Sequence, residues 1–223
     1  MVEEAEEPQP YVFTLSDGST TLEGSENFTG QATAAYENGD QYVGAWQDGL
    51  RQGSGVYTWK SGAIFTGEYS GNVRHGQGKL SLPDGSWFEG FFENGQRTFG
   101  TIRYANGDAY HGAFAGPQRH GQGVYIFHTC KSRLRGHWAQ GALLRGSWQL
   151  HSGQTWTPDE GDDKDGSRGR SFELNKPSGQ GVWRLANNTV RGSYAVHKAP
   201  VDFAPDSAVH PPTAVTAHWS TNR

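Results

Sequence analysis

The sequence predicts an all-β protein, an elongated, single-layer, twisted antiparallel sheet made of β-hairpins. Three observations carry this expectation. Gly accounts for 32 of the 223 residues and 28 residues are aromatic, a composition that weakens helices and suits pleated, half-buried strands. Gly also recurs in columns with steps of 22 to 24 residues, the mark of a repeat architecture. Between the columns large apolar residues alternate with others, which is the period of a strand.

The first column is Gly44, Gly67, Gly90, Gly112 and Gly136. The second is Gly55, Gly78, Gly100, Gly123 and Gly146, and the third is Gly39, Gly62, Gly85, Gly107, Cys130 and Gly153. Around the first column lie Tyr42-x-Gly44-x-Trp46, Phe65-x-Gly67-x-Tyr69, Phe88-x-Gly90-x-Phe92, Tyr110-x-Gly112-x-Phe114 and Leu134-x-Gly136-x-Trp138. Alternating segments such as Val56-Tyr57-Thr58-Trp59 and Val124-Tyr125-Ile126-Phe127 follow the second column. Asn38-Gly39, Ser61-Gly62, Asp84-Gly85 and Asn106-Gly107 are hairpin-turn signals. Each repeat therefore reads as one hairpin.

In chain order, residues 1–10 are expected to form an acidic, disordered leader. Residues 11–156 form the repeat array, in which 11–15 is a capping half-repeat and 22–30 a shorter hairpin. Residues 157–171 read as an acidic loop insert and 172–195 as a final hairpin. Residues 196–223 lack a clear period and read either as a disordered tail or as an arm laid along a partner. At about 4.8 Å per strand, some fourteen strands would extend roughly 65 Å.

Alternation puts one set of rings on one face. The expected stack comprises Tyr42, Trp46, Tyr57, Trp59, Phe65, Tyr69, Phe88, Phe92, Tyr110, Phe114, Trp138 and Trp148. A Gly between two rings leaves space for a ring to lie over the backbone. Each ring buries on the order of 150–250 Å², so the stack can replace a two-layer core. Two readings stay open: the rings satisfy one another, or part of their face is an open groove for a peptide, helix or extended chain.

Composition excludes several function classes. The net charge is −4, with 13 Arg and 6 Lys, which does not suggest a nucleic-acid partner or a Lys-rich membrane patch. One Cys excludes a disulfide framework. The sequence contains no transmembrane run, and its acidic start lacks the apolar region of a secretory signal.

Candidate chemistry is sparse. Cys130 follows His128, but a thiol nucleophile needs an orienting group and a cleft. His75 and His120 share a repeat column two repeats apart, near 19 Å at about 4.8 Å per strand, too far for one metal. The Asp-rich insert lacks the ligand spacing of a calcium loop. The Gly-x-Gly pairs lack the Lys and helix start of a phosphate loop. No catalytic residue, metal site or cofactor is therefore expected. The notable polar feature is a column of Arg51, Arg74, Arg97 and Arg119. It reads either as solubilising charge paired with acids such as Asp48 and Glu93, or as a linear docking strip for an acidic partner or neighbouring subunit.

Tyr42-x-Gly44-x-Trp46 followed by Gly53-x-Gly55-x-Tyr57, and the Arg-His-Gly-Gln-Gly runs at 74–78 and 119–123, resemble MORN repeats. The resemblance covers roughly 11–156 and 172–194. Residues 118–127, Gly136-His137-Trp138, 175–181 and Gly192-Ser193-Tyr194 are similar in order and spacing to the radial spoke head proteins of motile cilia and flagella. Leu134 and Val190 depart from the pattern at ring positions, and Thr98 and Leu144 at the leading Gly of the Gly-x-Gly pair. The resemblance implies a non-catalytic structural protein of the axonemal cytoskeleton. Its implied place is the radial spoke head facing the central-pair apparatus, with other spoke-head subunits or a second copy of itself as partners. The alternative implied by the wider repeat family is a membrane-associated protein that binds acidic phospholipids.

Overall fold

The computed structural model describes residues 11–21, 24–158, 172–173, 176–177, 179–185, 189–197 and 214–220. The acidic leader and residues 159–171 of the insert lie outside the described residues. The described chain is all-β, with no helix, and it divides into two units, Met1–Pro117 and Gln118–Arg223.

The first unit contains β1 (Tyr11–Leu15), β2 (Thr20–Thr21), β3 (Gly30–Tyr36), β4 (Gln41–Gln47), β5 (Leu50–Thr58), β6 (Ile64–Ser70), β7 (Val73–Ser81), β8 (Trp87–Glu93), β9 (Gln96–Arg103) and β10 (Ala109–Ala115). From β3 to β10 each strand pairs antiparallel with its sequence neighbours. The capping segment β1 pairs with both β2 and β3.

The second unit contains β11 (Gln118–Ile126), β12 (Arg133–Ala139), β13 (Ala142–Gln149), β14 (Thr155–Pro158), β15 (Phe172–Glu173), β16 (Lys176–Pro177), β17 (Gly179–Arg184), β18 (Thr189–His197) and β19 (Ala214–Ser220). Its sheet runs β11-β12-β13-β14-β17-β18-β19, all antiparallel. The β15–β16 pair stands apart. The segment read from sequence as a tail or partner-bound arm thus contributes β19 to the sheet of its own chain, with Arg191 opposite Ser220 and His197 opposite Ala214.

Two turn chemistries alternate. At Gly39 (φ 89°) the loop is three residues long. Gly39 N–H donates to Tyr36 O at 3.0 Å and Tyr36 N–H to Asp40 O at 3.0 Å. This is a type I turn closed by a Gly in the left-handed region, rather than a two-residue turn. Between β4 and β5, and again between β8 and β9, the connection is a two-residue turn that sequence reading passed over. Asp48-Gly49 has φ of 49° and 83°, and Asn94-Gly95 has 49° and 77°, the geometry of a type I′ hairpin turn. Their Asp-Gly and Asn-Gly pairs were the available signal.

Two column assignments change. The fifth long turn is one residue longer, and Phe127 O accepts from Lys131 N–H at 3.0 Å. The left-handed position therefore moves to Lys131 (φ 55°), and Cys130 is not the counterpart of Gly107. Thr98 and Leu144 do not replace a Gly in place. In the β4–β5 pair Gly44 faces Gly55 and Trp46 faces Arg51, so two extra residues bulge from β5, with Gly53 at φ 71°. In the β8–β9 pair Phe91 faces Phe99 and Phe92 faces Arg97, leaving only Thr98 extra. Leu144 is likewise the single extra residue on β13. A shorter bulge needs no left-handed residue, so the Gly is dispensable.

The core lies on one face of the ladder, within a single layer. Tyr42, Phe65, Phe88 and Tyr110 are at most 1% exposed. Tyr42, Phe65 and Phe88 lie over facing glycines. A Cβ on Gly55 would stand 2.5 Å from Tyr42 Cζ, and one on Gly78 would stand 2.4 Å from Phe65 Cζ. Consecutive rings meet edge to face, from Trp46 through Tyr42, Tyr69, Phe65, Phe92, Phe88 and Phe114 to Tyr110, with centroids 5.0–5.4 Å apart. That is the favoured arrangement for aromatic quadrupoles. Phe13 extends the series to Trp46 at 5.1 Å. In the second unit Leu134, Trp138, Leu143, Trp156 and Trp183 are buried on the equivalent face. Phe13, Leu143, Trp156 and Trp183 are core residues absent from the sequence-based ring set.

Tyr42 supplies a pH prediction. Its hydroxyl donates to Ala45 O at 3.0 Å, and burial pushes its ionisation up to about 12, with Arg51 opposing. A phenol near 10 in the unfolded chain and higher in the fold leaves stability full below pH ~10 and removes it as pH rises through the folded value. Tyr57 and Tyr69 are raised in the same direction by burial. Thermal melting followed by circular dichroism should show Tm falling from pH ~10 upward. A flat Tm through that range would contradict the burial of these hydroxyls.

Candidate interaction surface

Both faces of the ladder bear on function. The ring face carries the predicted Arg column on its rim. Arg51, Arg74, Arg97 and Arg119 are all half-buried. The Arg51 guanidinium lies 5.3 Å from the Tyr57 ring centroid and 5.4 Å from that of Tyr69. Arg74 covers Phe65 and Phe92 at 5.7 and 5.6 Å. Arg97 covers Phe88 at 5.4 Å, and burial lowers its ionisation. In the second unit Arg119 lies 4.6 Å from Trp138 and 4.9 Å from Tyr125.

Three of these residues also hydrogen-bond the next short turn. Arg51 Nη2 donates to Asn72 O at 3.0 Å, Arg74 Nη2 to Gly95 O at 3.1 Å, and Arg119 Nε to Gly141 O at 3.1 Å. Cation–π contact and a charge-assisted hydrogen bond hold each guanidinium in place. The column thus lids the ring stack, and any partner docking through it competes with these contacts. Arg74→Ala should cost about 1–2 kcal/mol in urea unfolding, since it uncovers two rings and leaves Gly95 O without that donor. No loss of stability would mean the lid contributes nothing.

The opposite face holds the exposed apolar residues that sequence reading missed. Phe91 and Phe99 are direct cross-strand partners, and they are 47% and 45% exposed. The signal was a break in alternation, because Phe91 follows Gly90 where other repeats carry Ala, Glu or His. With His111, whose ring lies 5.1 Å from that of Phe99, they line an open groove of about 570 Å³. Thr101 Oγ1 and His111 Nδ1 share a hydrogen bond of 2.8 Å. The groove's polar rim includes the exposed ion pair Lys79–Glu89 at 3.5 Å.

Nothing in this groove resembles a reaction centre. Its one imidazole bonds a threonine hydroxyl beside solvent-facing rings. Elsewhere, Cys130 Sγ lies 2.9 Å from Ser132 Oγ on an exposed turn. Among the described residues, no three His, Cys, Asp or Glu side chains gather as a metal site, and no helix is long and apolar enough to cross a membrane.

The repeat unit is a ring-Gly-ring strand, an Arg, and a Gly-x-Gly strand with a left-handed bulge residue. Residues 42–64, 65–87, 110–129 and 171–190 match the MORN repeat. The chain carries MORN repeats. The first three matches each contain a positive-φ leading Gly: Gly53, Gly76 and Gly121. The intervening β8–β9 and β12–β13 hairpins, where Thr98 and Leu144 stand in the shorter bulge, fall outside the matches. The antiparallel hairpins therefore continue through the unmatched segments with a shorter bulge. A comparison with curated proteins returns no match.

Among solved structures, the SAS-4 (dCPAP) TCP domain of Drosophila melanogaster, in complex with a proline-rich motif of Ana2 (dSTIL), aligns at 14% identity. The alignment covers 72% of this chain and 82% of that one, with a TM-score of 0.43. A mutant TCP10 domain of Danio rerio CPAP aligns at 13% identity over 82% of this chain and 92% of that one, with a TM-score of 0.26.

Proposed function

We propose that this MORN protein is a non-catalytic scaffold of the ciliary or flagellar axoneme. It is placed in the radial spoke head, facing the central-pair apparatus and packing against other spoke-head subunits. MORN repeats point to a protein-interaction or membrane-binding role. The observation that favours protein interaction is the Phe91–Phe99 pair. The sheet has a buried ring core on one face, so exposed paired rings on the other face lie outside that core and suit a partner. The spoke-head address is supported by the sequence similarity of residues 118–127, 136–138, 175–181 and 192–194.

The physical work of such a part is to hold shape under load. Within each unit, continuous ladders and packed rings allow few soft motions. The test is location in ciliated cells. A tagged copy should remain on detergent-extracted axonemes, and Phe91→Thr with Phe99→Thr, which removes the rings but keeps strand-forming residues in the β8–β9 ladder, should release it with the fold retained. A wild-type copy found wholly in the detergent-soluble fraction would overturn the proposal.

A further inference from the structure

We infer that the solvent-facing side of the second unit's sheet is a binding trough for an extended, carboxylate-rich polypeptide segment. This rests on the scaffold reading and names a partner chemistry for it, independently of the ciliary address.

The modest net charge of the whole chain hides a segregation. Residues 1–117 hold 15 acidic and 6 basic residues, whereas 118–223 hold 8 acidic and 13 basic. In the second unit, the residues with described side chains (118–158, 181–185 and 189–191) include no Asp or Glu. Strand alternation sends Leu134, Gly136 and Trp138 to the ring face. Arg133, Arg135 and His137 go to the other face, where all three are exposed. Arg145, Arg184 and Arg191 are exposed as well.

The ladder register turns these residues into walls. One row across the strands reads Arg133, Gln149, Thr155 and Arg184. A neighbouring row begins with Arg135 opposite Ser147 and ends with Val182 opposite Arg191. Both rows have Arg at each end and uncharged residues between. At about 4.8 Å per strand, Arg133 and Arg184 stand roughly 14 Å apart at the backbone. Arg145, opposite His137, marks one end of the floor.

An extended chain laid over β13 and β14 sends successive side chains to opposite sides. Consecutive carboxylates would therefore reach both Arg walls, and Gln149, Ser147 and Thr155 offer hydrogen bonds to the chain between them. All the wall cations are Arg, whose planar fork suits bidentate carboxylate contacts. Arg on both sides of a largely polar floor fits a chain better than a flat lipid surface.

Full-length protein titrated into a labelled oligoglutamate peptide should raise its fluorescence anisotropy, and binding should weaken steeply as salt rises. Combined Arg133→Glu, Arg135→Glu and Arg184→Glu should weaken binding on the order of tenfold or more at unchanged Tm. The corresponding Lys variants should weaken it less. An oligoglutamine peptide should not bind. Unchanged binding by the Glu variant would overturn the inference. So would preference for phosphatidylserine vesicles over the peptide, or no peptide binding by the wild type. None of those results touches the scaffold reading, which the axoneme fractionation judges separately.

Discussion

Gly90→Ala is expected to destabilise the first unit by about 3 kcal/mol or more, at the upper end of overpacking effects. A Cβ at this position would lie 2.2 Å from Phe99 O and 2.6 Å from Gly100 Cα, with Phe88 Cζ at 2.9 Å. The first two are backbone atoms of the neighbouring strand. They cannot yield without opening the Gly90–Gly100 pairing of the β8–β9 ladder. Strain at a left-handed backbone is not the cause, because Gly90 is not among the positive-φ glycines. The cost is one of contact alone. Gly71→Asn is the control. Its φ of 56° suits Asn and its Cβ would meet nothing within 4 Å, so the change should be near neutral. Urea unfolding of the two variants gives the comparison. Equal midpoints would sink the account of the glycine pairs.

Phe65→Ala is expected to cost about 3–5 kcal/mol, the usual range for deleting a fully buried ring. Phe65 is 0% exposed. It meets Tyr69 at 5.4 Å and Phe92 at 5.0 Å, covers Gly78, and lies under Arg74. In a single layer no second sheet can settle into the cavity, so little of the loss is recovered by relaxation. Phe65→Tyr probes the same site from the other direction. Tyr42 and Tyr110 occupy the matching position in their repeats and donate to Ala45 O and Ala113 O, each at 3.0 Å. A hydroxyl on Phe65 has the matching carbonyl of Glu68 to reach, so Tyr should be neutral or stabilising by up to about 1 kcal/mol. Phe65→Tyr as damaging as Phe65→Ala would show that the repeats are not geometrically equivalent. Chemical unfolding midpoints with unchanged m-values are the measurement.

The repeat class, the strand alternation and most of the ring set were legible because each follows from local chemistry. Two rings flanking a Gly, a period near 23 and turn glycines are visible without knowing what touches what. The short turns were equally visible at Asp48-Gly49 and Asn94-Gly95 but were overlooked. The core residues Phe13, Leu143, Trp156 and Trp183 depart from the ring-Gly-ring frame, so spacing alone did not select them. Their burial follows from which neighbour lies above them.

The candidate site was less legible for the same reason. A column of Arg51, Arg74, Arg97 and Arg119 has one sequence pattern whether the side chains stand in water or lie on rings. Only the placement of Tyr69, Phe92 and Trp138 beside them shows that they lid the core. The paired exposure of Phe91 and Phe99 depends on the β8–β9 register. The Arg-walled trough likewise depends on β17 joining β14 across the insert, which sets Arg184 in line with Arg133.

By itself the sequence determined that this chain folds as glycine-spaced hairpins with rings on one face, because period-2 alternation and Gly spacing act within a few residues. Only the tertiary structure decided which cations are committed to the core and which face outward. It also decided that β19 completes the chain's own sheet. Both outcomes depend on strand register, which couples residues far apart in the chain and leaves no local trace.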